Sequence, residues 1–237
     1  MDNAYRVAHR LRAAEHAAGK TLAGRKIGIS NRAAWAKLGL DDVVWGYIFD
    51  DTVIEAKTNE ATLSLTDLSA PRLEPEIIFG LKSALPTGSR DGAELLKHAE
   101  WFALGFEIVQ NPYPNWAVTP ADLVATYGYH GRLTYGEKVF VDKPNELAEA
   151  LVKTEVKLFK DGELILEGAG TNVVDSPAAA LGHLADLIAA DEAATPLAAG
   201  ELITTGTLTG APDIQAGETY RVSVSGPGLP DFTLHLE

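Results

Sequence analysis

Cysteine is absent from all 237 residues, which excludes disulfide staples, thiolate nucleophiles and Cys-based zinc or iron–sulfur sites. Positive charge is scarce: 20 Lys and Arg stand against 33 Asp and Glu, a formal net charge of -13. Such a chain repels nucleic-acid phosphates and anionic membrane surfaces, so neither nucleic acid nor membrane is an expected partner. It repels small anions as well, and a site for one needs a local cation or a bound metal to reverse the field. The opening MDNAYRVAHRLRAAEHAAGK has neither the unbroken apolar run nor the small-residue cleavage site of a secretory signal. No segment is expected to reach the roughly 18 apolar residues of a membrane span, and a cytoplasmic location is expected. P-loop, H-E-x-x-H and G-x-S-x-G signatures are missing, and Gly168-Ala169-Gly170 has Val173 where a dinucleotide fingerprint needs its third glycine.

What is present has ordinary globular proportions, 46% hydrophobic and 22% charged, and the chain is long enough for one sizeable core. One domain over 1–237 is expected, with a helix-and-strand subregion over 1–60 packed on the rest. No internal repeat, linker or low-complexity stretch interrupts it.

Ala4, Val7, Ala8, Leu11, Ala14 and Ala18 recur at helical spacing after Asn3, a good N-cap, with Gly19 placed to close the helix. Strands are expected over 25–29, 43–49 and 61–65, with a brief helix capped by Asn31 and ended by Gly39. A helix is expected over 93–100. Thr119, Pro120 and Asp122 open another that stops near Gly128, and Ser176-Pro177 opens a third with an apolar stripe of Leu181, Leu184, Leu187 and Ile188. Asp161-Gly162 between two β-prone runs is a strong hairpin signal. The segments 201–205, 219–224 and 232–236 read as strands. Strands outnumber helices and do not alternate with them regularly, so the fold class is α+β: a rolled, barrel-like mixed sheet flanked by helices.

In PRLEPEIIFGL, Arg72, Glu74 and Glu76 share a face, because strand side chains alternate with a period of two. Pro75 donates no backbone hydrogen bond, which suits an edge or irregular strand and not a central one. Glu107 shares a strand face with Ala103, Gly105 and Val109. Glutamates at apolar strand positions need a partner. A hard divalent ion such as Mg²⁺, which takes oxygen ligands, would supply it. The same spacing fits a solvated edge strand carrying Glu74 and Glu76, with Glu107 paired to an Arg or Lys.

The ordered set GRKIGIS (24–30), KLGLDD, WGYIFDD, PRLEPEIIFGL and ALGFEIV resembles the hydratase and decarboxylase branch of the fumarylacetoacetate hydrolase superfamily. Within that branch it resembles 2-keto-4-pentenoate hydratases and 4-oxalocrotonate decarboxylases. The resemblance continues through GAGTNVVDSPAAALGHLADLIA and LAAGELITTGTLTGAPDIQAGETYRV, nearly the whole chain; such relatives usually carry an extension ahead of the first helix. It implies the superfamily's C-terminal-domain-like fold, Glu74, Glu76 and Glu107 as ligands of Mg²⁺ or Mn²⁺, Lys26 in the same pocket, and a homo-oligomer. A 2-oxo acid would chelate the ion, which stabilises enolate charge as a Lewis acid. Lys26 would hold the substrate carboxylate, or move protons if burial lowers its pKa; without the resemblance it reads as a surface lysine beside Arg25. Asp51 matches an acidic position in the pattern and would assist proton transfer, although Asp50-Asp51 also suits a solvated turn. Thr207 and Thr209, in the loop 205–210, would offer hydroxyls and amides to a substrate carboxylate.

Relatives carry an Asp-Ser-Arg run and an Ala-Asp-Asn-Ala-Ser stretch where this chain has Gln110-Asn111-Pro112-Tyr113 and Ala125-Thr126-Tyr127-Gly128-Tyr129. Tyr127 and Tyr129, with Tyr113 and Trp116, would make the pocket more apolar or aromatic-accepting. The expected reaction is metal-dependent hydration of a 2-hydroxy-dienoate or 2-oxo-enoate to a 4-hydroxy-2-oxo acid. Decarboxylation of a vinylogous 2-oxo acid follows, then acylpyruvate-type C–C hydrolysis, for which a water-activating dyad is lacking. A non-catalytic binding protein on the same fold completes the alternatives.

Overall fold

The computed structural model describes all residues, Met1–Glu237. Thirteen strands run in chain order: β1 (Leu22–Gly28), β2 (Val44–Phe49), β3 (Val53–Glu55), β4 (Glu60–Leu63), β5 (Arg72–Leu81), β6 (Ala99–Val109), β7 (His130–Tyr135), β8 (Val139–Phe140), β9 (Glu155–Lys160), β10 (Glu163–Ala169), β11 (Leu202–Thr204), β12 (Thr219–Val224) and β13 (Phe232–Leu236). The helices are α1 (Asp2–Ala17), α2 (Trp35–Leu38), α3 (Gly92–Leu96), α4 (Pro120–Ala125), α5 (Pro144–Lys153) and α6 (Pro177–Ala190).

An eight-stranded mixed sheet has the order β2-β1-β11-β5-β6-β7-β3, with β8 pairing to β6, and a five-stranded sheet has the order β10-β9-β12-β13-β4. The pairs β1–β11, β3–β7 and β4–β13 are parallel and the others antiparallel. This is the expected α+β arrangement on a rolled mixed sheet. The segment 1–60 supplies β1, β2 and β3 to the eight-stranded sheet, and β4 of the five-stranded sheet begins at its last residue. Apolar side chains from both sheets and from α3, α5 and α6 merge into one core that includes Phe79, Phe106, Leu151, Leu181 and Phe232.

Local signals account for many boundaries. Thr119 caps α4 by accepting from Asp122 N, and Ser176 caps α6 by accepting from Ala179 N. Asp161 and Gly162 adopt φ of 50° and 89° between β9 and β10, the left-handed pair that a two-residue hairpin requires.

Other expectations are corrected. Asn3 is not a cap: α1 begins at Asp2, and Val7 and Leu11 of its supposed apolar stripe are exposed while Ala4 and Ala8 are buried. The helix expected over 93–100 ends at Leu96, because Ala99 already enters the long strand β6. Strand β5 is central, between β11 and β6, despite Pro75. The Pro75 carbonyl accepts from Leu208 N (2.8 Å), so its missing N–H falls on the side where β11 has already ended and no β6 bond is lost. Helix α5 was not foreseen, although Pro144 in its first turn and buried Leu147 and Leu151 four apart mark it. Contrary to expectation, Gly170–Ala190 is long and apolar enough by composition to cross a membrane; 72% of its most apolar window is buried within the chain.

Candidate active site

Antiparallel register brings the glutamates together. Glu74 on β5 lies directly opposite Glu107 on β6, and Glu76, two residues on and therefore on the same face, lies opposite Gly105. Oxygens of the three carboxylates fall within 4.8 Å of one another, with Glu76 and Glu107 fully buried. Each has a different set of partners. Glu76 Oε2 accepts from Gly206 N (2.7 Å), while Glu76 Oε1 is buried with no partner. Glu107 Oε1 is 2.8 Å from Lys26 Nζ and 2.8 Å from His130 Nδ1, and Glu107 Oε2 accepts from Thr204 Oγ1 at 3.5 Å.

Lys26 is 2% exposed on β1, between β2 and β11, and its Nζ also donates to Gly128 O at 2.8 Å. Gly128 has φ of 69°, and a Cβ there would come within 2.8 Å of Lys26 Cε. Gly206, with φ of 106°, is under the same constraint, since a Cβ would fall 2.0 Å from Ser30 Oγ. Glycine is thus required where the backbone crowds the lysine and where it reaches Glu76. Behind Glu107, His130 Nε2 lies 2.8 Å from Thr52 Oγ1, which is itself 2.7 Å from Phe49 O. A carboxylate oxygen has no hydrogen to give, so His130 Nδ1 is the donor to Glu107 whichever way Thr52 points its hydroxyl.

Three carboxylates in one buried cluster cannot all ionise unaided. Burial pushes the Glu74 carboxyl up to about 7 against the pull of Lys26. Burial, with Glu107 and Glu74 as charged neighbours, pushes Glu76 well above the carboxylate range. At Glu107 the cost of burial is outweighed by Lys26 and by the His130 hydrogen bond, which hold it down to about 2. Burial opposes the charge of Lys26, but Glu107, Glu74 and Glu76 together raise its pKa. The condition under which Lys26 would move protons, a pKa lowered by burial, is therefore not met, because the three carboxylates outweigh burial. The unpartnered Glu76 Oε1 and the all-oxygen donor set fit a hard divalent cation, which would relieve the strain of crowded negative charge.

The cluster opens into a cavity of about 230 Å³ lined by Lys26, Ser30, Glu74, Trp116, Tyr129 and Thr207 among others. That is below the roughly 300–1,000 Å³ of sites for drug-sized ligands and suits a small molecule.

Among the residues expected at the site, Lys26, Glu74, Tyr129 and Thr207 line this cavity, and Glu76 and Glu107 stand in the carboxylate cluster behind it. Four expected residues, Asp51, Tyr113, Tyr127 and Thr209, lie outside the lining. Asp51 is exposed, ion-paired to Lys20 Nζ at 3.0 Å, and outside the lining. Tyr127 packs against Tyr47 and Phe49, each at 5.8 Å between ring centres, and is also outside it. Thr209 sits behind Thr207, with its hydroxyl donated to Gly210 O. Tyr113 is exposed, whereas Trp116 does reach the cavity. His130 and Thr52 were not foreseen, because an isolated His and Thr carry no spacing signal and meet Glu107 only through the β6–β7 pairing.

A buried carboxylate cluster with an adjacent lysine, carried on a rolled mixed sheet, forms a site whose three carboxylates could hold a divalent ion beside a small cavity. No family model matches the chain. It is 28% identical over 229 residues to 2-keto-4-pentenoate hydratase 1 of Dechloromonas aromatica (strain RCB), covering 96% of this chain and 83% of the relative. It is 29% identical over 229 residues to 2-hydroxyhexa-2,4-dienoate hydratase of Comamonas testosteroni, covering 96% and 84%. Its fold matches 4-oxalocrotonate decarboxylase from Pseudomonas putida G7, solved with magnesium and adipate, with a TM-score of 0.88, 24% identity and coverage of 100% and 86%. These comparisons bear out the resemblance to the hydratase and decarboxylase branch of the fumarylacetoacetate hydrolase superfamily.

Proposed function

We propose that this protein is a divalent-metal-dependent hydro-lyase that converts a 2-hydroxy-dienoate, through its 2-oxo-3-enoate tautomer, to a 4-hydroxy-2-oxo acid. The observation that carries the reading is the meeting of Glu74, Glu76, Glu107 and Lys26 at one small cavity. The two hydratases to which the chain is similar over nearly its full length support the same reaction class. Glu74, Glu76 and Glu107 would hold the ion, Mg²⁺ or Mn²⁺, which when bound supplies Lewis-acid polarisation of the 2-oxo group and substrate carboxylate.

The chain's own groups account for the rest. Lys26 Nζ supplies the local cation that a chain of net charge -13 needs to admit an anion. Because Gly128 O and Glu107 Oε1 fix it on two sides, the ammonium is preorganised. Thr207 presents its side chain to the cavity. In the overall reaction, a water molecule adds its hydroxyl to C4 and its hydrogen to C3 of the 2-oxo-3-enoate. Decarboxylation of a dicarboxylic 2-oxo acid is less well supported, since Lys26 is the one Lys or Arg in the lining.

The test is to supply Mg²⁺-loaded protein with 2-hydroxypenta-2,4-dienoate and follow the loss of dienol absorbance and the appearance of 4-hydroxy-2-oxopentanoate. The reading requires turnover that falls at least about a thousandfold in Lys26→Met and Glu76→Gln. Release of carbon dioxide from 4-oxalocrotonate without hydration of the dienoate would transfer the assignment to the decarboxylase alternative.

A further inference from the structure

The polar side of the cavity, with Lys26, Glu74 and Thr207, faces an apolar lining of a definite kind. Val109, Leu123 and Tyr129 belong to one buried cluster, against which Ile29, Trp116 and Val118 pack, and all six line the cavity. We infer that this wall is a subsite for an uncharged, planar aryl tail on the 2-oxo acid. The inference rests on the proposed metal-site reading for its polar half.

Four observations converge on it. Lys26 is the lining's one cation, and its Nζ is already committed to Glu107 and Gly128, so a second carboxylate in the cavity would be buried without a partner and would face Glu74. Trp116 is held as a rigid wall. Its Nε1 donates to Ala70 O (3.0 Å), the Arg72 guanidinium sits 4.2 Å from its ring centre, and Tyr129 meets it edge-on at 6.1 Å and 90°.

Backbone strain is concentrated here. The lining residues Ile29, Trp116 and Tyr129 have φ of 54°, 51° and 60°. That is the left-handed region, which bulky side chains and above all a β-branched one avoid. Such strain clusters at ligand clamps, where surrounding packing enforces it. The Tyr129 hydroxyl is also buried with no partner, in a residue only 3% exposed that lines the cavity. An unspent donor on an apolar wall matches a neutral oxygen on the tail, a carbonyl or a hydroxyl, and makes a bare hydrocarbon less than ideal.

The experiment is competitive calorimetry on the Mg²⁺-loaded protein with oxalate, benzylidenepyruvate, and the 4-hydroxy and 4-carboxy derivatives of benzylidenepyruvate. Benzylidenepyruvate is expected to bind at least about tenfold tighter than its 4-carboxy derivative. The 4-hydroxy derivative should bind tighter than the parent in the wild type, an advantage lost in Tyr129→Phe. Trp116→Ala should weaken the aryl acids about tenfold while leaving oxalate, which has no tail, bound as before. Equal affinity for the neutral and carboxylated aryl acids, or aryl binding untouched by both substitutions while oxalate binds normally, would overturn the subsite alone. Failure of oxalate to bind the metal-loaded protein would instead overturn the metal-site reading on which the subsite rests. Tyr129→Phe removes a single unpartnered oxygen, so it keeps the test alive if Trp116→Ala does not fold.

Discussion

His130 donates from Nδ1 to Glu107 Oε1 across 2.8 Å, onto the same oxygen that Lys26 Nζ reaches at 2.8 Å. Two donors on Oε1 leave Oε2, with its single 3.5 Å contact from Thr204, as the freer oxygen for a cation. Hydrogen bonds to a ligating carboxylate orient it and tune its basicity, and their loss typically weakens metal binding by 10- to 100-fold. His130→Phe is therefore expected to weaken Mg²⁺ binding by about that factor in calorimetry, while His130→Asn, which keeps an amide donor near the Nδ1 position, recovers much of it. Equal affinity in both variants would mean that His130 only packs.

The metal-free protein should lose stability as pH rises. Glu74 is raised from 4.5 to about 7 and Glu76 is raised well above 4.5, both chiefly by burial, so between pH 4.5 and about 7 the folded protein holds protons that the unfolded chain has released. Stability in that window falls with pH, by on the order of 3 kcal/mol from Glu74 alone. Glu107, lowered to about 2, works in the opposite sense, and its contribution is lost only as pH falls below 4.5 towards 2. Divalent cations compete with the protons on Glu74 and Glu76, so the rise in Tm on adding Mg²⁺ should be larger at pH 8 than at pH 5.5. Thermal denaturation at the two pH values with and without metal checks both statements. A rise in metal-free Tm over the same range would contradict them.

Lys26→Met separates the two halves of the site. Removing the buried ammonium leaves the carboxylates more negative, so divalent-cation affinity should be kept or increased. Binding of oxalate to the metal-loaded form should fall by about tenfold or more, since the local cation for the anion is gone. Loss of the partner to buried Glu107 should also cost stability of about 3–5 kcal/mol in the metal-free protein, and added metal should restore part of it. Calorimetry and denaturant melts read the two effects independently.

Gly206→Ala tests the backbone contact to Glu76. The new Cβ would lie 2.0 Å from Ser30 Oγ at a φ of 106°, so the loop must shift and the Gly206 N to Glu76 Oε2 bond must lengthen. A loss of about 1–3 kcal/mol in stability, with weaker metal binding, is expected. Gly200→Ala, which also has positive φ (87°) but open space around it, should cost stability without touching metal affinity.

Residues whose role follows from local geometry were legible in the sequence. Thr119, Ser176 and Asp161-Gly162 act within a few residues of themselves, and their caps and turn stand where expected. Glu74, Glu76 and Glu107 stood out because charged groups at apolar strand positions are anomalous anywhere in a chain, but their spacing also fitted a solvated edge, and only the family resemblance joined them into one site. What was hidden depends on pairing between distant segments. His130 reaches Glu107 only through the β6–β7 register. Tyr127 and Tyr129, two apart on a short irregular turn with Gly128 at φ 69° between them, part ways: one packs on Tyr47 and the other lines the cavity. Asp51 was misplaced because a matching segment fixes a position in the chain and not the direction of its side chain, and Lys20 holds it at the surface. Pro75 misled because one missing N–H argues against a central strand only if a neighbour is present on that side.

The most direct test is calorimetric titration of metal-stripped protein with Mg²⁺ and Mn²⁺, with and without oxalate, repeated on Glu76→Gln and Glu107→Gln. A site built by Glu74, Glu76 and Glu107 predicts one-to-one metal binding that oxalate tightens and that both substitutions abolish or weaken by at least about a hundredfold. No binding in either condition, or binding that both glutamine variants retain, would contradict the account at its root.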